Sequence, residues 1–169
     1  MTPQIIKLNS RDIKRFTELI RLFEDVFEMK NLVMPSAIHL QKVLSEETFL
    51  SFVAVHDNKI VGGLTCYILP AYYVTSSSVY VFDLAVLPAF QRKGIGRMLI
   101  ESVKEYSKNL GYKEVFLQTE VEDQHAIDFY RATEGFEEQT VLFSYPLINK
   151  FQIFRFVISK YGNSHCTDD

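Results

Sequence analysis

Apolar residues recur along the first half of the chain in two periods, which predict a strand, two helices and a hairpin. Gln4 to Leu8 is expected to form a short strand, and Ser10 or Asp12 to cap the helix that follows. The apolar positions of that helix follow helical spacing: Ile13, Phe16, Leu19, Ile20, Phe23 and Phe27. A second short helix is predicted over Ser36 to Leu44. Two paired strands come next, Thr48 to Val55 and Ile60 to Leu69, joined by a turn at Asp57-Asn58-Lys59.

The second half of the chain continues the alternation of strands and helices. Val79 to Leu87 is apolar except for Asp83, which predicts a buried strand, and Gly94 to Leu110 carries an apolar helical face. The remaining predicted elements are a strand over Glu114 to Thr119, a helix over His125 to Thr133 and a last strand over Glu138 to Tyr145. The pattern therefore predicts one mixed α/β domain.

Length and composition favour a single domain with a short extension. The chain has 169 residues, of which 47% are hydrophobic, and these suffice for one core but not for two. Residues 1–147 are expected to form the domain. The extension 148–169 mixes aromatic and basic side chains without a clear period, and we expect it to be partly disordered or to contact a second copy in a homodimer.

Charge and cysteine usage exclude some classes of function. With 18 basic and 21 acidic residues the net charge is -3, which argues against binding nucleic acid through phosphate neutralisation and suits a cationic partner. Cys66 lies in an apolar run and Cys166 in a polar tail, so we expect no disulfide. Without a leader or membrane segment, a cytoplasmic location is expected. The four histidines lack the close pairing of a zinc site, so no metal is predicted.

A short glycine-containing motif carries the candidate chemistry. Gln91-Arg92-Lys93-Gly94-Ile95-Gly96 follows the buried strand and opens the long helix. Backbone amides at a helix start, left open by the two glycines, suit a pyrophosphate, and the adjacent basic side chains add positive charge. A basic surface turn with structural glycines is the alternative, but the strand-turn-helix context favours phosphate binding. The P-loop and dinucleotide-fold motifs do not match.

At these residues the chain resembles the GNAT superfamily of acetyl-CoA-dependent N-acetyltransferases. Gln91 to Gly96 matches the superfamily signature, and Asp83 to Val86 and Ala126 to Tyr130 lie at the expected spacing. The runs Tyr67 to Pro70, Val79 to Val86 and Leu117 to Glu120 are similar to those of type I aminoglycoside 3-N-acetyltransferases. The resemblance implies an α/β (α+β) GNAT fold, with a mixed, mostly antiparallel sheet of six to seven strands flanked by about four helices.

The resemblance also implies which residues bind acetyl-CoA, the acetyl donor. The strand Leu84 to Val86 would pair with the pantetheine arm, and the Val86 amide would polarise the thioester carbonyl. The residues implied in binding the donor are Leu84, Ala85, Val86, Gln91, Arg92, Lys93, Gly94, Ile95, Gly96, Arg97, Ala126 and Tyr130. Tyr130 would protonate the departing thiolate, and a tyrosine that only fills the core is the alternative. Four residues separate Tyr130 from Gly135, where the family usually has three.

Acidic residues are the candidates for the acceptor side, and of these Asp83 and Glu120 are expected to act in catalysis as well as in substrate binding. Asp83 interrupts an apolar strand, which points to a carboxylate facing a cleft or a bound cation, with a buried salt bridge as the alternative. The resemblance places an acid at Glu120, which would take the proton of the amine. Glu122 and Asp123 extend this cluster as candidate substrate-binding residues, although such charge runs are usually solvated surface.

Three functions remain open from the sequence. The resemblance favours acetylation of the 3-amino group of an aminoglycoside, with release of coenzyme A and antibiotic resistance as the implied context. A GNAT enzyme acting on another amine, such as a polyamine or a protein amino terminus, is the second. A non-catalytic acyl-CoA-binding module is the third, and the presence of Asp83, Glu120 and Tyr130 together argues against it.

Overall fold

A single mixed sheet of five strands organises the residues that the computed structural model describes, 2–145 and 147. The strands are β1 (Gln4–Lys7), β2 (Phe49–His56), β3 (Lys59–Leu69), β4 (Ser78–Val86) and β5 (Glu114–Phe116). They lie in the order β1-β2-β3-β4-β5. The pairings from β1 to β4 are antiparallel, and β5 runs parallel to β4.

Four α-helices accompany the sheet within the described residues, and the sequence pattern predicted each of them. They are α1 (Ile13–Val26), α2 (Ala37–Ser45), α3 (Ile95–Asn109) and α4 (Gln124–Ala132), and a short 3₁₀ helix (Pro88–Phe90) precedes α3. The α2 helix begins after Ser36, whose side chain accepts a hydrogen bond of 3.2 Å from the backbone N–H of His39. That hydrogen bond satisfies one of the amides left unpaired at a helix start.

The turn between β2 and β3 also follows from its residues. Asp57 and Asn58 have positive φ angles of 48° and 61°. Two consecutive left-handed residues match the twist of a two-residue hairpin, and aspartate and asparagine tolerate this conformation better than most side chains. The hairpin expected from the pattern is therefore formed.

The helices divide between the two faces of the sheet and create two apolar clusters. On one face α3 packs through Ile95, Leu99 and Val103 against buried residues of β2, β3 and β4. On the other face α1 and α2 cover Phe49, Val53 and Ala85, with Leu19 fully buried between them and the sheet. Although α1 also contacts β4, the end of this face nearest β5 carries more exposed side chains, among them Tyr67, Phe82 and Phe116.

The prediction of six to seven strands is not confirmed, since the described residues form five. Residues Glu138 to Tyr145, predicted as a strand, have no regular secondary structure, and Val141, Leu142 and Phe143 in this segment are exposed. A strand with alternating apolar residues is stabilised by pairing with a neighbouring strand. Because β5 ends at Phe116 rather than at the predicted Thr119, it offers only a short edge for such pairing. The predicted extension 148–169 lies outside the described residues.

The longest helix in the described part of the chain, α3, has 15 residues. No helix there has the length and apolar character needed to cross a membrane.

Candidate active site

A gap between β4 and β5 is the centre of the candidate site. The two strands pair only from Ser78 to Tyr80 on β4, whereas β4 itself continues to Val86. The N–H of Leu87 donates to the carbonyl of Val61 at 2.9 Å, so the backbone of Leu87 points toward β3. Backbone groups alternate in direction along an antiparallel pair, which turns those of Leu84 and Val86 away from β3. They therefore face the gap.

The turn before α3 is fastened to the end of β4. The side-chain amide of Gln91 donates a hydrogen bond of 3.0 Å to the carbonyl of Val86. Arg92 and Gly94 both adopt left-handed backbone conformations, with φ angles of 59° and 80°. Residues of this kind before a helix direct successive N–H groups into one concavity, which favours an anion. The hydrogen bond from Gln91 thus holds the turn, with its amides, next to the gap beside Val86.

The two glycines of the motif, one at the start of α3 and one within its first turn, serve different purposes. At Gly94 an added Cβ would meet no atom within 4 Å, so its left-handed φ is the reason for glycine there. At Gly96 an added Cβ would lie 2.9 Å from the Phe129 ring. The sequence interpretation gave both glycines the task of leaving amides open, whereas the structure gives Gly96 the task of admitting Phe129. The α4 helix is thereby packed on the first turn of α3.

The basic side chains of the turn also contact the protein itself. The Lys93 ammonium donates a 2.9 Å hydrogen bond to the carbonyl of Ala89 and lies 5.1 Å from the centre of the Phe90 ring. The Arg97 guanidinium donates to the carbonyl of Ala132 at the end of α4. Arg97 therefore ties α4 to α3, while Arg92 is exposed. The donor-binding roles expected for these residues remain predictions.

Tyr130 lies on α4 next to the residue that packs on Gly96. Loss of hydration, with a smaller contribution from the negative charge of Asp123, raises the pKa of Tyr130 to about 12. The phenol is therefore protonated at neutral pH. Its ring contacts Phe129, with centroids 5.1 Å apart.

The unusual spacing after Tyr130 is accommodated in the turn that ends α4. Glu134 is left-handed, with a φ of 65°, and the N–H of Gly135 donates to the carbonyl of Tyr130 at 2.9 Å. The N–H of Glu134 donates to the carbonyl of Arg131 at 3.1 Å. This pair of bonds is a Schellman ending, in which the left-handed position is usually glycine. The extra residue thus lies beyond the helix that carries Tyr130.

The predicted acidic residues occupy different surroundings. Asp83 is half-buried and accepts a 3.3 Å hydrogen bond from the hydroxyl of Thr65. Burial and the charge of Asp83 raise the pKa of Tyr67, which places Asp83 and Tyr67 near each other on one face of the sheet. The Asp123 carboxylate accepts the N–H of Ala126 at 2.9 Å and so caps α4.

Glu120 and Glu122 are exposed and lie in the turn before α4. Their carbonyls accept hydrogen bonds from Asp123 and Gln124, respectively, and this ties the turn to the start of the helix. In the described part of the chain, no group of three or more histidine, cysteine, aspartate or glutamate residues could hold a metal ion.

These residues fit an acetyl donor with an extended amide-bearing arm and a pyrophosphate. The backbone groups of Leu84 and Val86 face the gap, and the space around Gly94 is open. The contacts of Gln91 and Phe129 with the protein were not predicted. Both residues stand in or beside the motifs identified from the sequence, so the motifs located them without indicating what they touch.

Cys66 is a useful probe of the apolar cluster beneath α3, to which it belongs, because burial raises the pKa of its thiol. A thiolate is the reactive form of cysteine, so we expect Cys66 in a Cys166→Ser variant to be unreactive toward a thiol reagent in the native protein. In denaturant the same variant should react with one equivalent of reagent, measured by absorbance. Rapid labelling of the folded variant would contradict the buried placement of Cys66.

Comparisons with known proteins identify the family of this chain and several similar proteins. The family model described as "Acetyltransferase (GNAT) family" matches residues 16–136. A solved aminoglycoside acetyltransferase from an uncultured soil metagenomic sample, in complex with sisomicin, is similar with a TM-score of 0.85 and 46% identity. The match covers 87% of this chain and 97% of that one.

Two curated proteins show similarity at the level of sequence. N-alpha-acetyltransferase 30 of Schizosaccharomyces pombe is 30% identical over 64% of this chain and 70% of its own length. Aminoglycoside N(6')-acetyltransferase type 1 of Salmonella typhimurium is 28% identical over 62% of this chain and 75% of its own length. The similarities thus include proteins named for two different classes of amine.

Proposed function

We propose that this chain, which belongs to the acetyltransferase (GNAT) family and uses acetyl-CoA as its donor, acetylates the 6'-amino group of aminoglycosides. The observation that carries the proposal is the gap beside Val86, with the half-buried Asp83 on the same strand. The solved relative that binds sisomicin supports an aminoglycoside acceptor. A carboxylate on the strand that would hold the donor suits an acceptor with several ammonium groups.

The 3-amino group expected from the sequence receives no support from the relatives. The curated aminoglycoside acetyltransferase is named for the 6' position. The three runs that suggested a 3-N-acetyltransferase lie at the end of β3, on β4 and after β5. We therefore favour the 6'-amino group, with the 3-amino group as the alternative to be distinguished by experiment.

The proposed chemistry begins at the end of β4. The N–H of Val86 faces the gap and is suited to donate to the thioester oxygen as negative charge develops there. Gln91 holds the carbonyl of the same residue, so the peptide orientation at Val86 is supported from the turn. An amide fixed in advance stabilises developing charge without having to reorient during the reaction.

The two remaining proton transfers are assigned to Glu120 and Tyr130. The acceptor amine is an ammonium group at neutral pH, and Glu120 would take one proton from it, directly or through water, to give the neutral amine that attacks the thioester. Tyr130, whose pKa is raised to about 12, is protonated at neutral pH and would donate its proton to the departing sulfur as the carbon–sulfur bond breaks. The proton that the attacking nitrogen loses as the amide forms would restore the neutral phenol. The loss of hydration that raises the pKa of this phenol would also raise the pKa of a thiol in the same surroundings. The proton transfer from the phenol to the thiolate therefore stays feasible.

A protein amino terminus is the second candidate acceptor. The similarity to an N-alpha-acetyltransferase favours it, because that relative is 30% identical to this chain. A protein amino terminus must also be neutral to attack the thioester. Because it carries a single amino group, however, it would not require several carboxylates on the acceptor side. The choice between the two acceptors is accessible to a substrate panel.

The test is coenzyme A release from acetyl-CoA with aminoglycosides, polyamines and short peptides that have a free amino terminus. We expect kcat/KM for sisomicin to exceed that for the peptides about a hundredfold, because charged groups at the acceptor site select for matching cations. An aminoglycoside with a hydroxyl in place of the 6'-amine is the matched control and should not react. NMR of the product locates the acetyl group.

Acetylation at the 3-amino group would overturn the proposed position, and efficient turnover of peptides alone would overturn the proposed acceptor. Binding of acetyl-CoA without turnover of any amine would favour the non-catalytic alternative. Loss of turnover in Asp83→Asn and Glu120→Gln, with acetyl-CoA binding retained, would support their assigned roles.

A further inference from the structure

Aromatic side chains occupy matching positions on four neighbouring strands. Phe49 of β2 lies opposite Tyr67 of β3, Tyr67 opposite Tyr80 of β4, and Tyr80 opposite Phe116 of β5. Ring centroids are 5.4 Å apart for the first of these pairs and 5.2 Å for the last. Phe82 contacts both Tyr67 and Tyr80, at 5.6 Å and 6.1 Å. We refer to these five residues as the aromatic row.

The row runs from the core to an open part of the sheet. Phe49 is 8% exposed and contacts Phe16 of α1, whereas Tyr67, Phe82 and Phe116 are 40%, 41% and 38% exposed. The helices on this face therefore cover one end of the row only, as far as the described residues extend. Contiguous exposed aromatic surface of this kind is uncommon unless it binds something.

Two carboxylates flank the row on the same face. Asp83 follows Phe82 and is paired with Thr65, two residues before Tyr67. Glu114 lies two residues before Phe116 on β5, and its carboxylate accepts a 2.9 Å hydrogen bond from the hydroxyl of Ser78. Residues two apart on a strand share a face, as Thr65 and Tyr67 do, and the register shift between Thr65 and Cys66 brings Asp83 and Tyr80 to that same face. The rings therefore lie between two acidic groups.

This arrangement favours a cation with apolar faces. Aromatic ring faces attract ammonium groups, and they also stack on the C–H faces of other rings. The carboxylates on either side repel anions and attract cations. An amino sugar has both properties, since its ring presents C–H groups and its substituents are ammonium groups.

We propose that the exposed part of the aromatic row, Tyr67, Phe82 and Phe116, is a subsite that binds an ammonium-bearing sugar ring of the acceptor. This inference rests on the proposed function and adds residues that recognise the acceptor. Asp83 joins the row to the donor side, because Leu84 and Val86 follow it on the same strand and face the gap. An acceptor on the row would thus lie beside the strand that holds the donor.

The decisive experiment compares KM values for sisomicin and acetyl-CoA in substituted proteins. Phe82→Leu retains an apolar side chain but removes the ring, and we expect it to raise the KM for sisomicin about tenfold, the effect of one cation–π contact. The KM for acetyl-CoA should not change. Phe82→Tyr keeps the ring and should behave as the wild type. Calorimetric titration of sisomicin in the presence of coenzyme A should show the same order of affinities.

The controls separate recognition from folding and from the proposed function. Tyr67→Leu should raise the KM for sisomicin. Tyr72→Leu should not, because Tyr72 is 99% exposed in the loop between β3 and β4. Phe116→Leu, at the edge strand, is the further variant if Phe82→Leu does not fold. Wild-type KM values for sisomicin in the folded leucine variants would overturn the subsite while leaving the proposed function intact. If the wild type itself neither binds nor acetylates sisomicin, both proposals fail.

Discussion

Tyr130→Phe is expected to lower kcat about a hundredfold, because removal of a general acid usually has an effect of that size. The substitution deletes only the hydroxyl, and the ring that contacts Phe129 remains. The KM for acetyl-CoA should therefore change little. Steady-state kinetics with acetyl-CoA and the acceptor identified by the panel provide the measurement.

The control for this prediction is Tyr106→Phe. Burial raises the pKa of Tyr106 as well, but its ring packs against Phe52 on the α3 face of the sheet. Removal of the Tyr106 hydroxyl should therefore leave kcat unaltered. A decrease in kcat of less than about threefold for Tyr130→Phe would show that Tyr130 is a packing residue, since general acids contribute much more.

The raised pKa of Tyr130 also predicts how stability depends on alkaline pH. An unfolded tyrosine ionises near pH ~10, whereas the folded protein keeps Tyr130 neutral until about 12. The unfolded state therefore loses this proton first, and the free energy of unfolding falls as the pH rises through this interval. Tyr130→Phe should reduce that fall, and urea unfolding at neutral and alkaline pH would detect the difference.

The sequence predicted those parts of the fold that depend on local pattern. Ser36 before an apolar periodic segment located the start of α2, and Asp57-Asn58 located a tight turn, because caps and turns are determined by a few neighbouring side chains. The motif at Gln91 likewise located the start of α3. Its prediction needed only the order of strand, turn and helix.

Features that depend on register could not be predicted in this way. The aromatic row exists because Tyr67 and Tyr80 are opposite each other, and a shift of one residue would send one of them to the other face. The direction of the Val86 amide has the same origin, since the contact of Leu87 with Val61 decides it. Pairing of strands distant in the sequence is not encoded in the apolar period of either strand.

The contact between α3 and α4 could not be predicted from the sequence for a related reason. The motif indicated glycine at position 96 and an aromatic residue at 129, but each was interpreted within its own segment. The Arg97 hydrogen bond to Ala132 joins the same two helices. Packing of this kind couples the turn after β4 to the helix that carries Tyr130, and it gives Gly96 a role that can be measured.

Gly96→Val is expected to destabilise the protein by about 3 kcal/mol, because the added side chain enters the space of the Phe129 ring. Valine has a higher helix propensity than glycine, so a loss of stability must come from the clash. Displacement of α4 moves Tyr130, and a misplacement of about 1 Å can lower kcat/KM about a hundredfold. Chemical denaturation and steady-state kinetics measure the two effects.

A second substitution tests this cause directly. Phe129→Ala removes the ring that the added valine side chain would strike, so the double variant should be more stable than the sum of the two single losses predicts, with a coupling of about 1–3 kcal/mol. Gly94→Ala is the matched control, since an added Cβ there meets no neighbouring atom and only its left-handed backbone is strained. It should lose about 1–2 kcal/mol and show no coupling to Phe129→Ala. Additive losses for Gly96→Val and Phe129→Ala would show that the valine side chain does not strike the Phe129 ring, and the described link between α3 and α4 would then rest on the hydrogen bond from Arg97 to Ala132.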